Sequence, residues 1–214
     1  MRSSRLLSLL LSVGLLSASF VPAAQAQSTI TIGDTNVETD ADNGNGNLIL
    51  AQKAALAQSA TVVSLSFYVT QPSGSLILGL YDATGSGGHP GKLLAVTSSF
   101  TPVNGWNTAN VVTPASLAAG NYWLAYLPSS DNLSFVKQNN SGSCVLHGQT
   151  FTNGMPATFA TSTTNCSATT WSFYATLTAS GGGTSSTASA APRTGRLSPA
   201  LRLRISAAPA PLQR

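Results

Sequence analysis

LILGLYD at Leu76–Asp82, GKLLA at Gly91–Ala95 and GNYWLAY at Gly120–Tyr126 are the runs that decide the fold of this chain. Loops rich in glycine, proline and asparagine separate them. In the third run an extended chain places Tyr122, Leu124 and Tyr126 on one side and Trp123, Ala125 and Leu127 on the other. Apolar residues on both sides predict a central strand that is covered on each face, or one whose second face carries a ligand.

The same period of two recurs through the rest of the chain. It is clearest at Thr61–Thr70, where alternate residues predict a buried face of Val63, Leu65, Phe67 and Val69. The closing strand Trp171–Thr178 repeats the pattern, and shorter candidates are Ser28–Ile32, Lys92–Phe100, Trp106–Val112 and Asn132–Lys137. Together they give about nine or ten strands.

Two further segments bear on how the strands are connected. The turn signal Gln71–Gly74 contains proline and glycine, which predicts that Leu76–Asp82 folds back on Thr61–Thr70 as a hairpin. Leu48–Ala60 has some helical potential but no good amphipathic stripe, so a strand followed by a loop fits it equally.

Many short strands with almost no helix predict an all-β fold. The natural solution is an antiparallel two-sheet β-sandwich of the jelly-roll kind, and a closed barrel is the rival. The first and last strands are expected to pair, because the termini of compact domains often lie close together.

The first 26 residues have the pattern of a secretory signal peptide. Arg2 and Arg5 form a basic start, Leu6–Leu16 is a short apolar core, and Ala24–Ala26 matches a small-x-small cleavage site. The apolar run is too short and too interrupted for a membrane anchor. The mature chain is therefore expected to begin at Gln27 and to be exported to the periplasm, the cell surface or the medium.

Composition divides the remainder into a domain at 27–180 and a tail at 181–214. The tail opens with a Gly/Ser/Thr linker and carries five arginines and no acid, which predicts disorder and raises the hypothesis of a missing downstream domain. The domain holds three lysines against six acidic residues, a net charge of −3. That charge disfavours a nucleic-acid partner, which needs a basic patch.

Cys144 and Cys166 are the two cysteines of the chain. In an exported protein such a pair predicts one disulfide, and free thiols or half of a metal site are the alternatives.

The acidic loop Asp34–Asn47 has two interpretations. Asparagine and glycine tolerate positive φ, so the segment fits a series of turns. The side-chain oxygens of Asp40, Asp42, Asn43 and Asn45 also suit Ca²⁺, although the spacing does not fit an EF-hand. A structural calcium ion is the one cofactor that the sequence suggests.

Catalytic motifs are absent from the sequence. No nucleophile elbow, zinc-protease motif, phosphate loop or dinucleotide fingerprint occurs. The only glutamate, Glu38, lies in the acidic loop, and no acid–base pair is clearly positioned. We therefore expect a protein that is not an enzyme.

Aromatic residues are the most informative candidates for binding. Tyr68 and Tyr174 fall on the polar sides of their strands, and Tyr81 and Trp106 complete the candidate set. Exposed rings beside amides and hydroxyls can stack on sugar C–H groups, although tyrosine is also common on ordinary wet surfaces.

The runs from Leu78 to Tyr126, including LGLYD, GHPGKLLA, GWNT and LAAGNYWLAY, resemble the β-sandwich accessory modules of bacterial secreted and surface proteins. These modules are similar in fold to carbohydrate-binding modules. The resemblance implies a polysaccharide or glycan partner, and the alternative is a structural or adhesive module without a small ligand.

Overall fold

The computed structural model describes residues 27–166 and 168–179, which form two antiparallel sheets packed face to face. The leader predicted at 1–26 and the tail predicted at 181–214 lie outside these residues. The described strands are β1 (Thr29–Gly33), β2 (Asp40–Asn43), β3 (Leu48–Leu56), β4 (Ala60–Gln71), β5 (Leu76–Asp82), β6 (Leu93–Val96), β7 (Gly105–Leu117), β8 (Gly120–Pro128), β9 (Ser134–Asn139), β10 (Cys144–Gly148), β11 (Thr164–Cys166), β12 (Thr169–Trp171) and β13 (Phe173–Ala179). Two single 3₁₀ turns lie at Ser86–Gly88 and Phe151–Asn153.

The two sheets have different strand orders. In the first sheet the order is β1-β13-β4-β9-β12, with β7 also paired to β4 and β2 to β9. In the second sheet the order is β11-β10-β3-β8-β5-β6. The all-β sandwich is therefore confirmed, and so is the pairing of the first strand with the last, since β1 runs antiparallel to β13.

Aromatic rings fill the centre of the interface between the sheets. Phe67 is fully buried, and its ring centroid lies 4.8 Å from that of Tyr126 and 5.4 Å from those of Phe135 and Phe173. The last two contacts are edge-to-face, an arrangement that aromatic quadrupoles favour.

Strand β4 contains a β-bulge that corrects one prediction. Leu65, Phe67 and Val69 face the core as expected, but Val62 is fully buried in place of Val63. Val63 has no partner in the ladders with β7 and β13, whose registers both shift between Val62 and Ser64. One extra residue reverses the alternation, so the prediction for Val63 is wrong.

The predicted hairpin between Thr61–Thr70 and Leu76–Asp82 is also wrong. Strand β4 belongs to the first sheet, whereas β5 belongs to the second and pairs with β8 and β6. From Leu76 to Tyr81 every residue of β5 is buried. A strand that is apolar on both faces requires a central place in a covered sheet, so the turn after β4 carries the chain to the other sheet.

The outer face of the second sheet carries a second core. Leu48–Leu56 is a strand, which settles the choice for that segment, and its outward residues join those of β5, β8 and β10. The second core contains Ile49, Ala51, Tyr81, Trp123, Ala125, Leu127, Val145 and Phe159, with Phe151 and Met155 packed against it. Strand β8 is therefore covered on each face, the first of the two alternatives predicted for it.

The predicted disulfide between Cys144 and Cys166 is confirmed. The two cysteines lie directly opposite each other on β10 and β11, and their bond fastens the short edge strand β11 to the second sheet. Within the described part of the chain, no helix is long and apolar enough to cross a membrane.

Candidate functional site

Three aromatic side chains form a cluster on the outer face of the first sheet. Trp106 lies between Tyr68 and Tyr174, with ring centroids 5.4 Å and 4.9 Å away. The rings are inclined by 78° and 64°, so each tyrosine meets the indole edge-to-face. All three side chains are half-buried. We call Tyr68, Trp106 and Tyr174 the ring cluster.

Strand register explains how the three rings meet. Trp106 of β7 pairs with Tyr68 of β4, and Tyr174 of β13 pairs with Ser66 on the opposite edge of β4. Since neighbouring strands lie about 4.8 Å apart, the indole must extend across β4 to touch Tyr174. Ser66 is accordingly fully buried although it points outward, and its hydroxyl lies 2.8 Å from that of Thr108.

The polar atoms of the ring cluster distinguish it from the other tyrosine and tryptophan residues. Elsewhere these atoms bond to protein: the hydroxyls of Tyr81 and Tyr122 donate to the carbonyls of Pro156 and Ala118, and that of Tyr126 accepts from Asn45. The indoles of Trp123 and Trp171 donate to Gly88 and Asp42. Among the described residues, the Trp106 indole and the Tyr68 and Tyr174 hydroxyls have no hydrogen-bond partner.

Tyr81, the fourth ring of the predicted set, lies far from this cluster. It is fully buried in the second core, its ring is perpendicular to that of Phe159, and its hydroxyl bonds to Pro156 at 2.8 Å. Burial raises the pKa of Tyr81. A side chain without exposed surface cannot stack on a ligand, so Tyr81 is excluded from the candidate site.

The four strands that surround the ring cluster contain no charged residue, and Asp34 follows Gly33, the ladder partner of Tyr174. The outward positions of β1, β13, β4 and β7 carry hydroxyls and amides instead, among them Thr29, Thr31, Thr108, Asn110 and Thr176. Such a face offers hydrogen-bond donors and acceptors without the cost of removing a charge from water.

The four residues predicted for calcium are placed on β2 and the turn after it. Asp40 accepts a 2.7 Å bond from the Asn139 amide, and Asp42 lies 3.4 Å from the Lys137 ammonium.

The other two residues form the turn. Asn43 donates from its backbone to Asp42, and Asn45 has a positive φ of 68° and donates from its side chain to Tyr126. The turn interpretation therefore holds for the residues that follow Asn43, whereas Asp40–Asn43 form a strand that pairs with β9, which the sequence did not predict. Within residues 27–179 as described, no group of three or more acidic, histidine or cysteine side chains is arranged to hold a metal ion. Calcium binding stays a prediction.

The pKa of one carboxyl in the acidic loop is shifted by its acidic neighbours. A hydrogen bond with Asp34 is the main cause that raises the pKa of Glu38, followed by burial and by the charges of Asp34 and Asp40.

The raised pKa of Glu38 predicts that stability falls as pH rises. The folded state holds the proton more tightly than the unfolded state, so the contribution of Glu38 is complete below the ordinary value of 4.5 and is lost above it. Glu38→Gln should therefore unfold at a higher temperature than the wild type at pH 7 and at the same temperature at pH 4. Melting curves across that range measure the difference. A constant offset at every pH would contradict the interpretation.

Comparison with models of known protein families finds no match, and neither does comparison with curated protein sequences.

Proposed function

We propose that this protein is a non-catalytic, secreted accessory module that binds neutral polysaccharide through its ring cluster. The observation that carries the proposal is the unused polar atoms of Trp106, Tyr68 and Tyr174, beside rings that keep part of their surface exposed. Tyrosine and tryptophan usually pair their polar atoms within the protein when they are buried, as the other five are here, so the half-exposed ring cluster keeps the polar atoms that are open to a ligand. The resemblance to carbohydrate-binding modules supports the same conclusion.

The chemistry of the site suits a neutral sugar. A pyranose ring presents C–H groups that pack on an aromatic face and hydroxyls that bond to the indole N–H, the phenol hydroxyls and the neighbouring Thr108 and Asn110. The strands around the rings carry no lysine or arginine that could pair with a sulfate or carboxylate, which favours an uncharged chain. The inclination of the rings limits direct stacking to one or two sugar units at Trp106, since the three rings do not form one plane.

The test is a pull-down of the full-length chain with insoluble neutral polysaccharides, such as cellulose, chitin and xylan, with and without calcium. Trp106→Ala should weaken binding at least about tenfold, the effect expected of a central aromatic contact. Val37→Ala is the matched control, because Val37 is 49% exposed and lies on the loop before β2. Binding that is unchanged in Trp106→Ala would refute the site, and a requirement for calcium would support the ion predicted for the acidic loop.

A structural or adhesive module without a small ligand is the second candidate. The edge-to-face contacts favour it, because the three rings also stabilise one another and cover Ser66. This second function predicts that no polysaccharide binds and that the only effect of Trp106→Ala is a loss of stability. Melting temperatures recorded beside the pull-down separate the two functions.

A further inference from the structure

A cavity of about 350 Å³ lies on the outer face of the second sheet, away from the ring cluster. Its floor is formed by Lys53 of β3 and Trp123 of β8, which are direct partners in the ladder. The glycine loop at 87–89 forms one wall, and the disulfide with the segment 142–145 forms the other. This volume lies in the range of small-molecule sites and suits one sugar-sized molecule.

The walls are held in place by bonds within the fold. The Trp123 indole donates to the Gly88 carbonyl at 3.0 Å, which ties the glycine loop to the floor. The His89 ring lies 6.2 Å from Trp123, and its Nδ1 is 3.3 Å from the Thr163 hydroxyl. The disulfide fixes the opposite wall. The cavity is therefore formed before any ligand arrives, which lowers the entropic cost of binding.

The charge of the cavity is opposite to that of the domain. Lys53 and His89 line it and no carboxylate does, whereas the described domain has three lysines and six acids. Lys137 pairs with Asp42, but Lys53 forms no ion pair among the described residues. Asp34 and Glu38 line a separate groove on the other side of Lys53. Their charges weaken the attraction between Lys53 and an anion, but neither side chain lines the cavity.

We infer that this cavity binds the carboxylated sugar unit of an acidic glycan, a uronic acid. The Lys53 ammonium pairs with the carboxylate, the strongest kind of hydrogen bond that the cavity offers. The sugar ring packs against the disulfide above Trp123, which is 3% exposed and forms the floor, and its hydroxyls reach the exposed Asn165 amide and His89. The site is separate from the ring cluster, so this inference does not depend on the proposed function.

The experiment titrates the full-length chain with sodium glucuronate, glucose and N-acetylaspartate at constant ionic strength. Indole N–H signals in NMR report the site, because the chain has three tryptophans and they lie in three different places. Glucuronate should shift the Trp123 signal and leave the Trp106 signal unchanged. Its affinity should exceed that of glucose at least about tenfold, as expected for one charge-assisted bond.

Variants at Lys53 identify the charge that binds. Lys53→Met should weaken glucuronate binding at least about tenfold, and Lys53→Arg should retain most of it. Lys92→Met is the matched control, since Lys92 is exposed and does not line the cavity. Equal affinity for glucose and glucuronate, an unchanged affinity in Lys53→Met, or no shift of Trp123 would overturn the inference. Preference for N-acetylaspartate over glucuronate would overturn the assignment to a sugar. None of these outcomes alters the test at Trp106.

Discussion

Replacement of Gln52 by leucine is expected to destabilise the protein by about 2–6 kcal/mol, because the buried N–H and carbonyl of Trp171 lose their bond to it, whereas the Phe173 carbonyl still accepts from the Asp34 N–H. Gln52 belongs to β3 in the second sheet but is 1% exposed and bonds to the first. Its amide donates to the carbonyls of Trp171 at 3.3 Å and Phe173 at 3.1 Å, and its oxygen accepts from the Trp171 N–H at 2.7 Å.

These bonds lie at the interruption between β12 and β13. Ser172 separates the two strands, so the ladder does not provide a hydrogen-bond partner for every neighbouring backbone group. The Gln52 amide provides the donor and the acceptor that are missing at Trp171. Leucine has a similar volume but no polar atom, so the N–H and carbonyl of Trp171 keep their desolvation cost without a compensating bond.

Urea denaturation of Gln52→Leu beside Gln58→Leu measures the effect. Gln58 is exposed in the turn after β3, so its replacement should change the unfolding free energy by less than about 0.5 kcal/mol. Equal midpoints for the two variants would show that the bonds across the sheets contribute little.

Loss of the disulfide is expected to cost about 3 kcal/mol in the chain-entropy model. The bond spans a sequence separation of 22, and the loop it closes contains the segment that covers the second core. Cys144→Ala/Cys166→Ala releases β11, which otherwise pairs with β10 over three residues.

The double variant should also lose the wall of the cavity that Lys53 lines. Urea midpoints of the double variant and of the reduced wild type should agree, because both remove the same covalent link. A reduced wild type that keeps the stability of the oxidised protein would contradict the expectation, and the double variant would then be explained by lost packing.

The alternation of apolar and polar residues along each strand predicted much of the fold. The two sides of β8 follow from the spacing of Tyr122 and Trp123, and the structure places them in the first and second cores. The disulfide followed from the presence of two cysteines in a chain whose start predicts export, and the pairing of β1 with β13 followed from the compactness of a single domain.

Sequence reasoning failed where the answer depends on distant segments. The run of two valines at 62 and 63 permits either phase of alternation, and the bulge decides between them. The sequence also made Tyr81 a candidate for binding but could not show that Phe159 and Pro156 cover its ring.

The two proposed binding surfaces could be predicted from the sequence to different extents. Tyr68, Trp106 and Tyr174 were all candidates, but their contact depends on an indole that crosses a strand. The cavity at Lys53 is lined by residues from several separate parts of the chain, and no local pattern other than the glycines at 87 and 88 points to it.

The pairing of β1 with β13 has a mechanical consequence. Thr29 lies opposite Thr178, and the Ala179 N–H bonds to the Ser28 carbonyl, so both ends of the described domain leave from one corner of the first sheet. Tension applied between these ends would open the ladder one bond at a time, like a zipper. Tension between the tail end of β13 and a ligand held at Trp106, near the other end of β4, would instead load many ladder bonds in parallel. The domain is therefore built to resist a pull between its tail and its ring cluster better than a pull between its own termini.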